Sequence, residues 1–166
     1  MEIQHLTNQY IVRDLIPADA KMVYEALKNH TIFYKYHPPM VTIDSILEDM
    51  EALPPNKGYE DKHYIGFFSG DTLVAVMDLI EHYPQCGTAL IGFFALNSAM
   101  QGIGIGSAII SDSLSYLGKQ GFRKVRLGVD KGNPQSKAFW TKNGFAFTRE
   151  EILNDFSSVF VMERTL

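Results

Sequence analysis

A single cysteine, Cys86, stands in the 166 residues, so no disulfide can close within the chain and a small disulfide-stapled fold is excluded. Such sparing use of cysteine suits a reducing compartment. Long apolar runs are also missing. No segment reaches the roughly 18 uncharged apolar residues that a membrane-crossing helix needs. The opening Met1-Glu2-Ile3-Gln4-His5 has no basic stretch followed by an apolar one, so no secretory leader is expected there. Positive charge is in short supply: 15 lysines and arginines face 19 aspartates and glutamates, a formal net charge of −4. That excludes the basic footprint of a general nucleic-acid binder. Repeats and low-complexity tracts are absent. These absences together lead us to expect a soluble, cytoplasmic protein with no membrane and no nucleic-acid partner, and with no metal site.

What is present is an ordinary globular balance, 46% apolar and 20% charged residues. The length suits one domain, expected to span 1–166. A chain of this size buries roughly two thirds of its unfolded surface, enough for a core without staples.

Tyr10 to Arg13 reads as a short strand. Pro17 opens a helical stripe that includes Met22 and Leu27 and runs to about Asn29. Phe33-Tyr34-Lys35-Tyr36-His37-Pro38-Pro39-Met40 reads as a loop or a broken helix, and Ile43 to Leu53 as another helix. Tyr64–Phe68 and Thr72–Met77 flank Ser69-Gly70-Asp71, a hairpin signal. Ala89 to Leu96 is a near-continuous apolar strand, which suggests burial on both faces. A glycine-rich turn from Gln101 to Gly106 leads into a helix with Ile105, Ile109, Ile110, Leu114 and Leu117 at helical spacing, ended by Gly121. Val125, Leu127 and Val129 alternate with polar residues or glycine as a strand does. Asn133-Pro134 starts a helix, with Asn as cap and Pro in the first turn, and Asn143-Gly144 ends it. Phe145–Phe147 and Val159–Met162 read as closing strands. The order predicts a mixed α/β domain, an antiparallel hairpin early and a βαβ unit late.

The most informative segment is Leu96-Asn97-Ser98-Ala99-Met100-Gln101-Gly102-Ile103-Gly104-Ile105-Gly106-Ser107. A strand runs out into glycines and a helix starts at once. Glycines let the backbone approach a bulky ligand, and the N–H groups of a helix N-terminus favour an anion such as pyrophosphate. A P-loop is excluded, because no Gly-Lys-Ser/Thr closes the segment. A dinucleotide fingerprint fits poorly: Gly102 and Gly104 match G-x-G-x-x-G, but the third position is Ser107. A purely structural turn is the remaining plain reading.

The segment resembles the acetyl-CoA signature Q/R-x-x-G-x-G/A of the GNAT superfamily of N-acetyltransferases, filled by Gln101, Gly104 and Gly106. Downstream, Asn133-Pro134-Gln135-Ser136-Lys137-Ala138-Phe139-Trp140-Thr141-Lys142-Asn143-Gly144-Phe145 resembles the family's N-x-x-A/S-x-x-F/L-Y/W-x-x-x-G-F helix. The resemblance covers residues 60 to 150 well, and the first sixty only as an opening strand with two helices. It implies a central mixed sheet of six to seven strands, antiparallel early, with a splayed parallel pair at the cofactor site and about four flanking helices.

It further implies acetyl-CoA as the cofactor. Backbone N–H groups of Gly102, Gly104, Gly106 and Ser107, with Ile103 and Ile105 between them, would cradle the pyrophosphate. Gln101 would hold the turn or reach a phosphate. Backbone groups of Phe94 and Leu96 would pair with the pantetheine arm, and the Leu96 N–H would stabilise the developing oxyanion. Asn133 would cap its helix, with or without touching the cofactor, while Phe139 and Trp140 would pack near its reactive end. Where many members carry a tyrosine as general acid, this chain has Trp140, whose indole donates a hydrogen bond but is no useful acid. Where some members carry a carboxylate, it has Leu90. Asp78, Glu81 and His82 are substitute bases or exposed strand-end residues; Glu81 is the candidate carried forward. Phe33, Tyr34 and Tyr36, with His37 and Met40, would wall an acceptor site, plug the core or form a dimer contact. The implied activity is transfer of an acetyl group to a primary amine of a small molecule or peptide; a non-catalytic acyl-CoA binder or sensor is the alternative. A homodimer fits either reading.

Overall fold

A computed structural model describes residues 1–153 and 158–166. Seven strands form one sheet: β1 (Ile11–Asp14), β2 (Lys62–Ser69), β3 (Thr72–Ile80), β4 (Thr88–Leu96), β5 (Lys124–Asp130), β6 (Ala146–Leu153) and β7 (Ser158–Thr165), in the spatial order β1-β2-β3-β4-β5-β7-β6. Only β4 and β5 pair in parallel; all other neighbours are antiparallel. The described residues form five α-helices: α1 (Ala20–Leu27), α2 (Thr31–Tyr36), α3 (Ile43–Glu51), α4 (Ile105–Lys119) and α5 (Pro134–Lys142). No helix among the described residues is long and apolar enough to cross a membrane.

Side-chain alternation along the strands divides the apolar residues into two layers. On one face Met77, Leu79 and Leu127 meet Ile109, Ile110, Leu114 and Leu117 of α4 and Trp140 of α5. On the other, Tyr64, Phe68, Leu73 and Val76 meet Val23, Ala26 and Leu27 of α1 and Ile46 of α3. The helix boundaries follow local chemistry. Thr42 caps α3 through the Ser45 N–H (3.0 Å), and Asn133 caps α5 by accepting from the Ser136 N–H (3.1 Å).

The two parallel strands part company halfway along. Pairing runs from Thr88↔Lys124 to Ile91↔Leu127 and stops, although β4 continues to Leu96 and β5 to Asp130. The start of β4 is buried as its apolar run predicts, but Gly92 is exposed and Phe93 to Leu96 are only half-buried. Burial on both faces is therefore wrong for the second half of this strand. Its apolar side chains sit at the margins of the two cores and line the opening. At the parting point β4 also slips register against β3, between Asp78 and Leu79. Gly92 is needed there, since a Cβ would come within 2.7 Å of Asp78 Oδ2. The stretch expected as a loop or broken helix at 33–40 begins as the single-turn helix α2, which ends at Tyr36. Two prolines follow and stop it.

Candidate active site

The opening between β4 and β5 is continuous with the glycine turn. A cleft of about 260 Å³ is lined by Phe94, Ala95 and Leu96 of β4, by Gln101, Gly102, Gly104, Gly106 and Ser107, by Gln135, Ser136, Phe139 and Lys142 of α5, and by His30 and Phe33. Backbone direction aims it. The Asn97 N–H donates to the Val74 carbonyl (2.7 Å), so Asn97 faces β3. Because a strand's polar groups alternate sides, those of Leu96 and Phe94 turn away from β3, into the cleft.

The turn itself is held open. Gly102 and Gly104 have φ of +81° and +90°, and a Cβ at either would meet nothing within 4 Å. Gly104 is the cap residue of α4, and no side chain among the described residues caps that helix. The N–H groups of its first turn, which includes Gly106 and Ser107, therefore border the cleft without a side-chain partner. Gly106 fits closely, since a Cβ there would lie 3.2 Å from Phe139 and 3.4 Å from Leu96. Asn143 Nδ2 donates to Ser107 Oγ (3.2 Å) and ties α4 to α5.

Of the residues singled out from the sequence, Phe94, Leu96, Gln101, Gly102, Gly104, Gly106, Ser107 and Phe139 meet in this cleft. Ile103 points to solvent, 74% exposed, and Ile105 packs on the core; neither side chain lines the cleft. Asn133 is buried as the α5 cap, outside the cleft, and its Nδ2 has no partner among the described residues. Trp140 borders a second cavity of about 190 Å³, at the point where the strands part, together with Phe33, His37, Gly92, Phe93, Phe94 and Asp130.

Glu81 is not brought to either space. It follows the end of β3 that pairs with the beginning of β4, far along the strand from Leu96. Its carboxylate accepts from the Met1 ammonium (2.9 Å) and from His63 Nε2 (2.7 Å). Burial works to raise this carboxyl, but its bonds to the Met1 ammonium and to His63 outweigh it and hold it below its ordinary value. A carboxylate so occupied is a poor proton acceptor. Its role as base is corrected on these grounds. Asp78 is likewise engaged, by Lys62 Nζ at 2.8 Å. Of the expected aromatic wall, Phe33 reaches both cavities. Tyr34 packs edge-on against Phe33 and burial pushes its hydroxyl up to about 12. Tyr36 lies against Gly132.

His30, Gln135, Ser136 and Lys142 were not foreseen. Three of them could have been: Gln135, Ser136 and Lys142 lie four before, three before and three after Phe139, so they share its helix face. His30 had no signal in sequence. It joins the glycine turn to the strand: Nε2–H donates to the Leu96 carbonyl (2.7 Å), and Nδ1 accepts from Gln101 Nε2 (3.2 Å). Accepting at Nδ1 requires a neutral ring, and burial, outweighing the bond to Leu96, lowers its pKa. His30→Ala should leave the fold intact but loosen the turn. We expect about a 3–10-fold weaker affinity for acetyl-CoA, on the scale of one or two hydrogen bonds, measured by calorimetric titration.

The acetyltransferase (GNAT) family model matches residues 24–145, well over half of the chain. The chain belongs to this family. Mycothiol acetyltransferase from Corynebacterium glutamicum is 26% identical over 95 residues, which is 57% of this chain and 32% of that protein. The chain thus spans about a third of the length of this curated relative. Among solved structures of the fold, an acetyltransferase from Thermus thermophilus superposes with a TM-score of 0.74 at 20% identity, covering 98% of this chain and 99% of that one. The spermidine N-acetyltransferase from Vibrio cholerae, in complex with CoA and spermine, gives 0.68 at 19% identity, covering 96% of each chain.

Proposed function

We propose that residues 1–166 form one acetyltransferase domain that moves the acetyl group of acetyl-CoA onto a primary amine of a small molecule or peptide, by direct attack on the thioester. The observation that carries this reading is the parting of β4 from β5 next to an uncapped, glycine-bordered helix start. The site fits the group. Gly102 and Gly104 leave room where side chains would stand, and the N–H groups beyond them are free for an anion. Phe94 and Leu96 turn backbone donors and acceptors toward an extended arm, and Gln135, Ser136, Phe139 and Lys142 flank it. The bound group supplies an activated acetyl thioester; the chain positions it and handles the proton of the acceptor.

The acceptor side suits a cation. Asp130 lines the cavity at the parting point and Asp49 lies near its His37, while Asp78 is paired with the buried Lys62. A primary amine arrives mostly as ammonium at neutral pH, so this balance favours its approach. The CoA and spermine complex of the Vibrio cholerae enzyme is consistent with that preference. Cytoplasmic location and a homodimer belong to the same reading; light scattering tests the dimer.

Acetyl-CoA at a hundred times its dissociation constant should add about 2.7 kcal/mol and raise the melting midpoint by roughly 5–10 °C, with NADH giving no shift. A primary-amine panel that includes spermidine and short peptides then tests transfer by mass spectrometry. A second reading, a binder without catalysis, is favoured by Trp140, which stands at the parting point with no acidic proton to offer. A melting shift with no acetylated amine would select it.

A further inference from the structure

We propose that His37, oriented by Asp130, is the general base that takes the proton of the acceptor amine. This rests on the acetyltransferase reading above.

The two residues come from opposite walls of the opening. Asp130 is the last residue of β5, and its carboxylate is 8% exposed. Its backbone is fixed as well, because its carbonyl accepts from the Asn133 N–H (3.1 Å). His37 follows α2 directly, and its N–H closes on the Phe33 carbonyl (3.0 Å). The imidazole stacks on the Phe33 ring, centroids 5.2 Å apart, and Phe33 in turn packs edge-on against Phe93 of β4. Nδ1–H of His37 donates to Asp130 Oδ1 at 3.0 Å.

That bond settles the tautomer. With the proton on Nδ1, the lone pair sits on Nε2, which no described residue hydrogen-bonds. The His37 side chain remains 51% exposed, so an acceptor can reach it. Both residues line the cavity where the strands part, facing Trp140 and Ser136 of α5 across it. A base held by a buried carboxylate, beside the place where the acceptor must arrive, is the arrangement that proton removal requires. The candidate bases read from the sequence are occupied: Glu81 by Met1 and His63, Asp78 by Lys62, and His82 Nδ1 by the Gly87 N–H.

In the step, a bond forms between the amine nitrogen and the acetyl carbon. The carbon–sulfur bond breaks and its electron pair leaves on the thiolate. The proton lost by nitrogen passes to His37 Nε2 and from there to the thiolate or to water. The charged groups facing His37 are Asp130 on β5 and Asp49 on α3, with the Lys62–Asp78 pair of β2 and β3 behind Asp49. The hydrogen bond to Asp130 raises the His37 pKa; Asp130 and Asp49 charges add to it. The neutral, active form therefore prevails only above that raised value, and the rate should climb with pH through it.

The first readout needs no acceptor. The His37 ring resonances of the free enzyme, followed by NMR, should titrate above the ordinary imidazole value in the wild type and measurably lower in Asp130→Asn. The second is kinetic. On an amine that the wild type acetylates, His37→Gln should lower kcat by about 10²–10⁴-fold and lose the rising limb of the pH profile, with acetyl-CoA affinity within about twofold of wild type. Free imidazole should restore part of the rate of His37→Ala. Asp130→Asn should shift the limb to lower pH. A His37 that ignores Asp130→Asn, or a His37→Gln enzyme with kcat within threefold of wild type, overturns the proposal. A wild type that binds no acetyl-CoA or acetylates no amine overturns the acetyltransferase reading instead, so the two failures are distinct.

Discussion

Gly104→Val should abolish the thermal stabilisation by acetyl-CoA. Two separate effects lead to this. Gly104 sits at φ +90°, where a residue with a Cβ pays about 1–2 kcal/mol and a β-branched one more. The turn would relieve that strain by moving, and the N–H groups of Gly106 and Ser107 would lose their common aim. A Cβ at this position also meets no protein atom within 4 Å, so the valine methyls would occupy space on the ligand's side of the turn. We expect affinity to fall at least about 100-fold. At the concentration that shifts the wild type by roughly 5–10 °C, the variant should then shift by less than about 2 °C. The ligand-free midpoint should drop only modestly, because the turn lies outside the core. Ile103→Ala is the control. Its side chain is exposed, and its loss should change affinity by less than about twofold. A normal acetyl-CoA shift in Gly104→Val would mean that this turn does not hold the pyrophosphate.

The sequence announced this turn because its function imposes residue types. Positive φ demands glycine, and an anion demands free N–H groups; both requirements leave letters that can be read. The strands and α4 were equally legible, since alternation and helical spacing follow directly from burial. Two things were not. The second half of β4 has the apolar run of a core strand, yet it borders a cleft. Whether a neighbour is present depends on β5 diverging, and β5 lies some thirty residues away. The proton-handling residues were also hidden. Glu81 looked available from its place after a strand, but a contact with Met1, at the far end of the chain's numbering, takes it up. His37 and Asp130 are 93 residues apart, and neither belongs to a local pattern. His30 reaches Leu96 across 66 residues in the same way. Local chemistry writes itself into neighbouring letters; pairings between distant elements do not.

The largest loss of stability is expected at a buried ion pair within the β2–β3 hairpin. Lys62 on β2 and Asp78 on β3, diagonal neighbours across the strand pair, bond at 2.8 Å with side chains 4% and 15% exposed. Burial raises the Asp78 carboxyl, and Lys62 is the partner that restrains that rise. Lys62→Met keeps the length of the stem and removes only the charge. Asp78 would then be a buried carboxylate without compensation, which costs about 3–5 kcal/mol when one member of such a pair is lost. For a chain of this size the midpoint should fall by roughly 6–20 °C. The sign of the pH dependence separates this cause from lost packing. A carboxyl whose folded-state pKa lies above its unfolded value binds protons more tightly when folded, so it favours the fold at low pH and the benefit is lost as pH rises through the folded value. Removing Lys62 widens that gap. The Lys62→Met deficit should therefore be small in the ordinary carboxylate range and grow toward neutrality, as read by urea melts from pH 5 to pH 7.5. Lys62→Met/Asp78→Leu should recover most of the loss, because two apolar groups can replace a buried ion pair without leaving a stranded charge. A deficit below about 1 kcal/mol that does not change with pH would place the pair with solvent-screened surface bridges instead.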